Sequence, residues 1–133
     1  MIGKRRTSTP EPRPHFVVSV ARDFSRFPGG RKKVHGRFSG EEFRERFSLP
    51  VLQQHRYVKF DLAGSAGYSS GFLDEAFGEL GLFYPLDELR ERVEIVAEDD
   101  PDAAEIAWRR IRDAASEKSS AKQSPSLRGV RAL

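Results

Sequence analysis

The sequence predicts an α/β domain in which a small sheet is covered by helices. Two observations carry this. Apolar segments rich in β-branched and aromatic residues, at about 16–22, 56–62 and 93–97, alternate with segments whose apolar residues recur at helical spacing. The stretch VKFDLAGSAGYSSGFLDEAFGELG, 58–81, joins an apolar strand to an amphipathic helix through a turn rich in glycine and serine. With a further short strand near 31–35, the order is β-β-α-β-α-(α)-β-α. Strand–helix–strand links of this kind give parallel neighbours with right-handed crossovers.

Each element follows from local chemistry. Phe16, Val17, Val18 and Val20 favour the first strand, and Pro28-Gly29-Gly30 is a strong turn signal. A second strand from Arg31 to His35 would close a hairpin. Ser39, with Glu42 three residues later, forms a capping-box pattern, and Phe43 and Phe47 share one helical face. Pro50 should kink that helix or begin a second segment, because it has no backbone N–H to donate. RYVKFDL, 56–62, alternates and reads as a central strand. Phe72, Ala76, Phe77 and Leu80 mark a helix over 70–81, with Asp74 and Glu75 in its first turn and Gly81 as its stop. A short helix near 85–91 and a strand near 93–97 follow. The last helix opens with Asp100 as cap and Pro101 at its first position. Its apolar stripe is Ala104, Trp108, Ile111 and Ala115, which assigns Trp108 to the core.

A chain of 133 residues suits one domain, expected over 15–117. The segments 1–14 and 118–133 are rich in Lys, Arg, Ser and Pro and are expected to be disordered tails. Each end carries a net charge near that of the whole chain, +3, so the domain between is net acidic. This weakens a nucleic-acid reading of the domain itself. Charge within it is polarised: residues 22–37 are mostly basic and 74–113 mostly acidic, which can orient a partner. There are no cysteines, hence no disulfide or thiolate site, as suits a reducing cytoplasm. His15, His35 and His55 show no metal-ligand spacing, and no cofactor is expected.

Three chemistries compete for the central turn. It can be architecture, with Gly64 and Gly67 at positive φ and Ser69 or Ser70 capping the helix. It can cradle a phosphate, although it lacks the glycine fingerprints of nucleotide loops. It can display a serine for phosphorylation, where helix N–H groups would favour the added charge. GYSSGF is not a nucleophile elbow and no histidine has reason to converge on it, so no catalytic residue is assigned and no enzyme is expected.

These residues resemble the third strand and following helix of STAS domains, the fold of anti-sigma-factor antagonists and of the cytoplasmic tails of sulfate transporters. More closely, the chain is similar to small bacterial and phage STAS-like proteins of unknown function. Asp61-Leu62-Ala63-Gly64, Phe72-Leu73-Asp74-Glu75-Ala76-Phe77-Gly78 and the upstream FSRFPGGR…GRFSGEEFRE carry the likeness, over roughly 16–97. It implies a small mixed sheet with helices mainly on one face, no catalysis and no cofactor. It also implies a regulatory protein-binding module, whose partner in the antagonists is a histidine-kinase-like ATPase. That partner phosphorylates the second serine of Asp-Ser-Ser-Gly, which falls on Ser70 here, with Ser69 beside it. Tyr68 stands where those proteins have the Asp. The partner surface is then expected around the amino end of the 70–81 helix, at Tyr68, Ser69, Ser70, Phe72 and Asp74, with a core position the alternative for Phe72. The alternative is a nucleic-acid-associated protein using Arg22, Arg26, Arg31, Lys32, Lys33 and Arg37, with Phe24, Phe27 and Phe38 interleaved for stacking on bases. Limited proteolysis is expected to leave a fragment near 15–117, and early cleavage within 56–97 would contradict the domain boundaries.

Overall fold

In the computed structural model, which describes residues 15–122 and side chains as far as 118, three strands form one parallel sheet. They are β1 (Phe16–Ser19), β2 (Val58–Asp61) and β3 (Val93–Val96). β2 is central, as expected. Phe16 lies opposite Val58 and Val58 opposite Val93, while Val18, Phe60 and Ile95 form the next row. Side chains alternate along a strand, so these six residues share one face. Five of them are buried there, and Phe16 at the edge is not. The other face carries Val17, Lys59 and Glu94, then Ser19, Asp61 and Val96, none of them fully buried. The helices thus cover mainly one face of the sheet.

The expected fourth strand is absent among the described residues, and the sheet is parallel rather than mixed. The 31–35 segment is extended at Lys32 and then makes a single 3-10 turn, Lys33–His35. Its one apolar side chain, Val34, is 86% exposed, so a strand there would have nothing to bury. Its backbone serves a helix instead. The Gly30 and Arg31 carbonyls accept from the N–H groups of Gly40 and Glu41, at 2.9 and 3.0 Å. Those donors belong to a first helical turn, which has no partners of its own. The first strand is also shorter than expected. After Ser19 the chain makes a π-helical turn, Val20–Phe24, held by Arg22 N–H donating to Ser19 Oγ and Ser19 N–H donating to Asp23 Oδ2.

Helix α1, residues 40–54, consists of Gly40–Phe43 and Leu49–Gln54 joined by a π-helical turn, Arg44–Ser48. Ser39 caps it by accepting from Glu42 N–H, while Glu42 Oε1 accepts from Phe38 N–H, one residue beyond the usual capping box. Pro50 falls in the first turn of the second segment, as its chemistry demands. Helix α2, residues 70–83, repeats the design: Ser70–Leu73, a π-helical turn Asp74–Gly78, then Leu80–Phe83. Helix α3 is Leu86–Arg92, and α4 is Pro101–Lys122. α4 therefore runs through 118–122, which composition had assigned to a tail. The expected tails at 1–14 and beyond 122 lie outside the described residues. No helix of the described residues is long and apolar enough to cross a membrane.

Four fully buried phenylalanines centre the core: Phe43, Phe60, Phe72 and Phe77. The Phe77 ring lies 5.2 Å from Phe60 and 5.5 Å from Phe43, within the range of favourable aromatic pairs. α4 closes one side, on a stripe that shares only Ile111 with the expected one. Ala103, Ala107 and Ile111 are fully buried, whereas Ala104 and Trp108 pack at the margin. The reason is the close approach of α2. A Cβ on Gly81 would stand 2.4 Å from the Ile111 carbonyl oxygen, and one on Gly78 would stand 2.8 Å from Arg110 Cβ. No indole fits between backbones so near. Gly81 is thus a packing residue and not the helix stop, since α2 continues to Phe83. Gly81→Ala is expected to cost about 1–3 kcal/mol through overpacking, read as a lower urea midpoint. Gly30→Ala, where a Cβ meets nothing within 4 Å, should leave the midpoint nearly unchanged.

Candidate functional site

The turn between β2 and α2 is held by its own polar groups. Asp61 Oδ1 accepts from Ala63 N–H at 3.0 Å, and Asp99 Oδ2 accepts from Gly64 N–H at 3.0 Å. Gly64 and Gly67 have φ of 92° and 146°, conformations that glycine adopts without strain. Tyr68 is half-buried, and its hydroxyl donates to the Leu62 carbonyl at 2.6 Å. Burial, above all, pushes its pKa up to about 12, so the phenol stays neutral. Ser69 caps α2: its Oγ accepts from Phe72 N–H at 3.0 Å and donates to the Gly29 carbonyl at 3.1 Å. Ser70 is different. It is the first residue of the helix, it is exposed, and its side chain makes no hydrogen bond among the described residues.

The segment 25–38 wraps this end of α2. Ala66 N–H donates to the Arg26 carbonyl at 2.8 Å, and Ser69 reaches Gly29 as above. Arg31 lies over Gly71, where a Cβ would stand 3.3 Å from its own Cβ, and its guanidinium pairs with Asp74. One residue on, the Glu75 side chain is only 4% exposed. Its carboxylate accepts from Arg44 Nη1 at 2.7 Å and Lys32 Nζ at 3.0 Å, with Arg31 Nη1 at 3.7 Å. Arg44 also donates to the Glu75 carbonyl at 3.0 Å.

Of the five residues expected to meet a partner, Ser69 and Ser70 are exposed, Tyr68 and Asp74 are half-buried and engaged, and Phe72 is wholly buried in the core. Phe72 thus leaves the surface set, because the helix phase that puts Ser70 outward turns it inward. Of the six basic residues at 22–37, four have carboxylate partners: Arg22 with Asp23, Arg31 with Asp74, Lys32 with Glu75 and Lys33 with Glu45. Arg26 and Arg37 have none among the described residues, and the Arg37 guanidinium sits 5.0 Å from the Phe38 ring centre. Phe24 packs against the core at 5.2 Å from Phe43, and the half-buried Phe38 ring lies 5.5 Å from Phe24. Phe27 is 68% exposed.

The Glu75 cluster was not foreseen from the sequence. Its signal lies in the spacing: Glu75 follows Phe72 by three and so sits on the apolar face of α2, where a carboxylate needs a cation. Burial alone would raise the pKa of this carboxyl, but the hydrogen bonds and charges of Arg44 and Lys32 outweigh it and hold it below the ordinary range. A depressed carboxylate stabilises the fold above its unfolded pKa, and that gain is lost as pH falls through the folded value. Glu75→Gln is expected to cost about 3 kcal/mol at neutral pH by urea unfolding, the low end for a broken buried ion pair because Lys32 and Arg31 are partly exposed. The difference from wild type should narrow as pH falls below about 4.

Residues 39–103 match the model of a family described as a STAS-like domain of unknown function. No curated protein and no solved structure matches the chain. The matched residues take in α1, β2, α2, α3, β3 and the first residues of α4, so they contain the Ser70 turn and Glu75, while β1 and the wrapping segment precede them. The three-stranded sheet with helices is consistent with that fold, and it is through residues 39–103 that the chain is similar to the STAS-like domains of unknown function.

Proposed function

We propose that this chain is a non-catalytic regulatory module that binds a protein partner through the amino-terminal turn of α2, with Ser70 as a phosphorylation switch. The observation that carries this reading is the exposed, unengaged Ser70 hydroxyl at the start of a helix whose neighbours are all tied down. A phosphate there would meet the positive end of the helix dipole and the guanidinium of Arg31, which lies over the adjacent Gly71. Asp74 and Glu75 would oppose it. Asp74, however, already shares its charge with Arg31, and Glu75 is turned inward onto Arg44 and Lys32. The fold should therefore tolerate the phosphate, and its effect falls on the partner. Likeness to the anti-sigma-factor antagonists supports a histidine-kinase-like ATPase as that partner, and a cytoplasmic setting where ATP is at hand. The nucleic-acid reading has less support. With four of the six cations paired within the chain, few remain to displace counterions from a phosphate backbone.

Ser70→Asp is expected to leave the melting curve nearly intact and to weaken partner binding at least tenfold, about 1.4 kcal/mol, by titration calorimetry. Phosphopeptide mass spectrometry of protein from its native host should find the modification on Ser70. Unmodified Ser70 together with undiminished binding by Ser70→Asp would reduce the turn to architecture.

A further inference from the structure

We infer that Phe27 anchors the partner contact, and that the partner offers an apolar socket rimmed by carboxylates. This rests on the reading of the chain as a protein-binding module and names the chemistry of its partner. Phe27 is a large apolar side chain left 68% exposed, on a loop whose backbone is fastened on both sides. Ser25 N–H donates to the Val20 carbonyl at 2.7 Å, and Phe27 N–H donates to Ser25 Oγ at 2.9 Å. Ala66 N–H holds the Arg26 carbonyl, and Gly29 N–H donates to the Phe38 carbonyl at 2.7 Å. Pro28 fixes its own φ and confines the residue before it, which is Phe27. An isolated exposed apolar residue needs no explanation. A rigidly framed aromatic is another matter, because it loses little freedom on binding, and such residues dominate interface energetics.

The surroundings of Phe27 define the partner. Arg26, its neighbour in sequence, has no ion pair among the described residues, and neither does Arg37. The Arg37 backbone is brought close by Gly29, where a Cβ would stand 2.4 Å from the Arg37 carbonyl oxygen, while its guanidinium lies over the Phe38 ring. A segment that carries an exposed aromatic ring and two cations without carboxylate partners complements an apolar socket with an acidic rim. The Ser69–Gly29 hydrogen bond sets this loop against the Ser70 turn. A phosphate on Ser70 would then repel that same acidic rim, which gives the switch its sign. A base stacked on Phe27 is the rival occupant, but two cations without carboxylate partners supply little of the phosphate neutralisation that nucleic-acid binding needs.

The test pans the full chain against a displayed library of random peptides. Enriched peptides are then synthesised and titrated by fluorescence anisotropy, with a mixed-sequence oligonucleotide in parallel. Apolar residues flanked by Asp and Glu should be enriched. Phe27→Ala and Arg26→Glu should each bind these peptides roughly tenfold more weakly, with unchanged melting curves. Enriched peptides that bind both variants as tightly as wild type would overturn the Phe27 anchor. If they still lose affinity with Ser70→Asp, the protein-binding reading stands without it. Absence of acidic–apolar enrichment, with oligonucleotide binding that falls steeply with salt, would overturn both.

Discussion

A carboxylate in an apolar interior is tolerable only with cations to hold it, and that of Glu75 draws three cations from two places. Arg44 comes from α1, while Lys32 and Arg31 come from the segment leading into that helix. The π-helical turn Asp74–Gly78 carries Glu75 itself, and the π-helical turn Arg44–Ser48 carries Arg44. Gly40 completes the junction: a Cβ there would stand 2.5 Å from the Phe72 carbonyl oxygen, so the start of α1 can lie directly on α2. Ser48 Oγ adds a buried bond to the Ala76 carbonyl at 2.8 Å. One buried charge thus locks two helices and the preceding strap into a single arrangement.

The sheet depends on that helical layer because it is small and one-sided. Its strands are four residues long, and parallel sheets usually need cover on both faces. Here the uncovered face presents Lys59, Glu94 and Asp61 to water, so leaving it open exposes little apolar surface besides Val17. Arg92 supplies a second tie. It donates to the carbonyls of Arg56 at 2.8 Å and His55 at 3.0 Å and pairs with Glu88, which joins the chain just past α1 to the last residue of α3. A cation among carbonyls that follow a helix end is well placed electrostatically.

The ionic strap also shapes the surface. Pairing consumes most of the basic charge between residues 22 and 37 and turns a stretch that looks like a nucleic-acid contact into a brace against α2. What stays outward is selected by that brace: Ser70 at the helix start, and the Arg26–Phe27 step set against it through Ser69 and Gly29. Polar and apolar features that lie far apart in the chain therefore meet on one side of the molecule.

Local chemistry was enough to read much of this chain. The caps at Ser39 and Ser69, the second helical segment at Pro50, the central strand and the glycine conformations at 64 and 67 depend on neighbours within a few residues. The motif around Asp-Glu-Ala-Phe-Gly pointed to the STAS-like family for the same reason. Long-range competition decided the rest. Residues 31–35 had extended propensity but no face to bury, and helix donors and carboxylates distant in sequence claimed them. Gly81 had the look of a stop, yet it is the point where α4 comes closest, and that approach moved Trp108 to the margin. Whether a cation is free or paired, and whether a phenylalanine packs as Phe24 does or projects as Phe27 does, depends on residues tens of positions away. That information exists only once the chain has closed on itself.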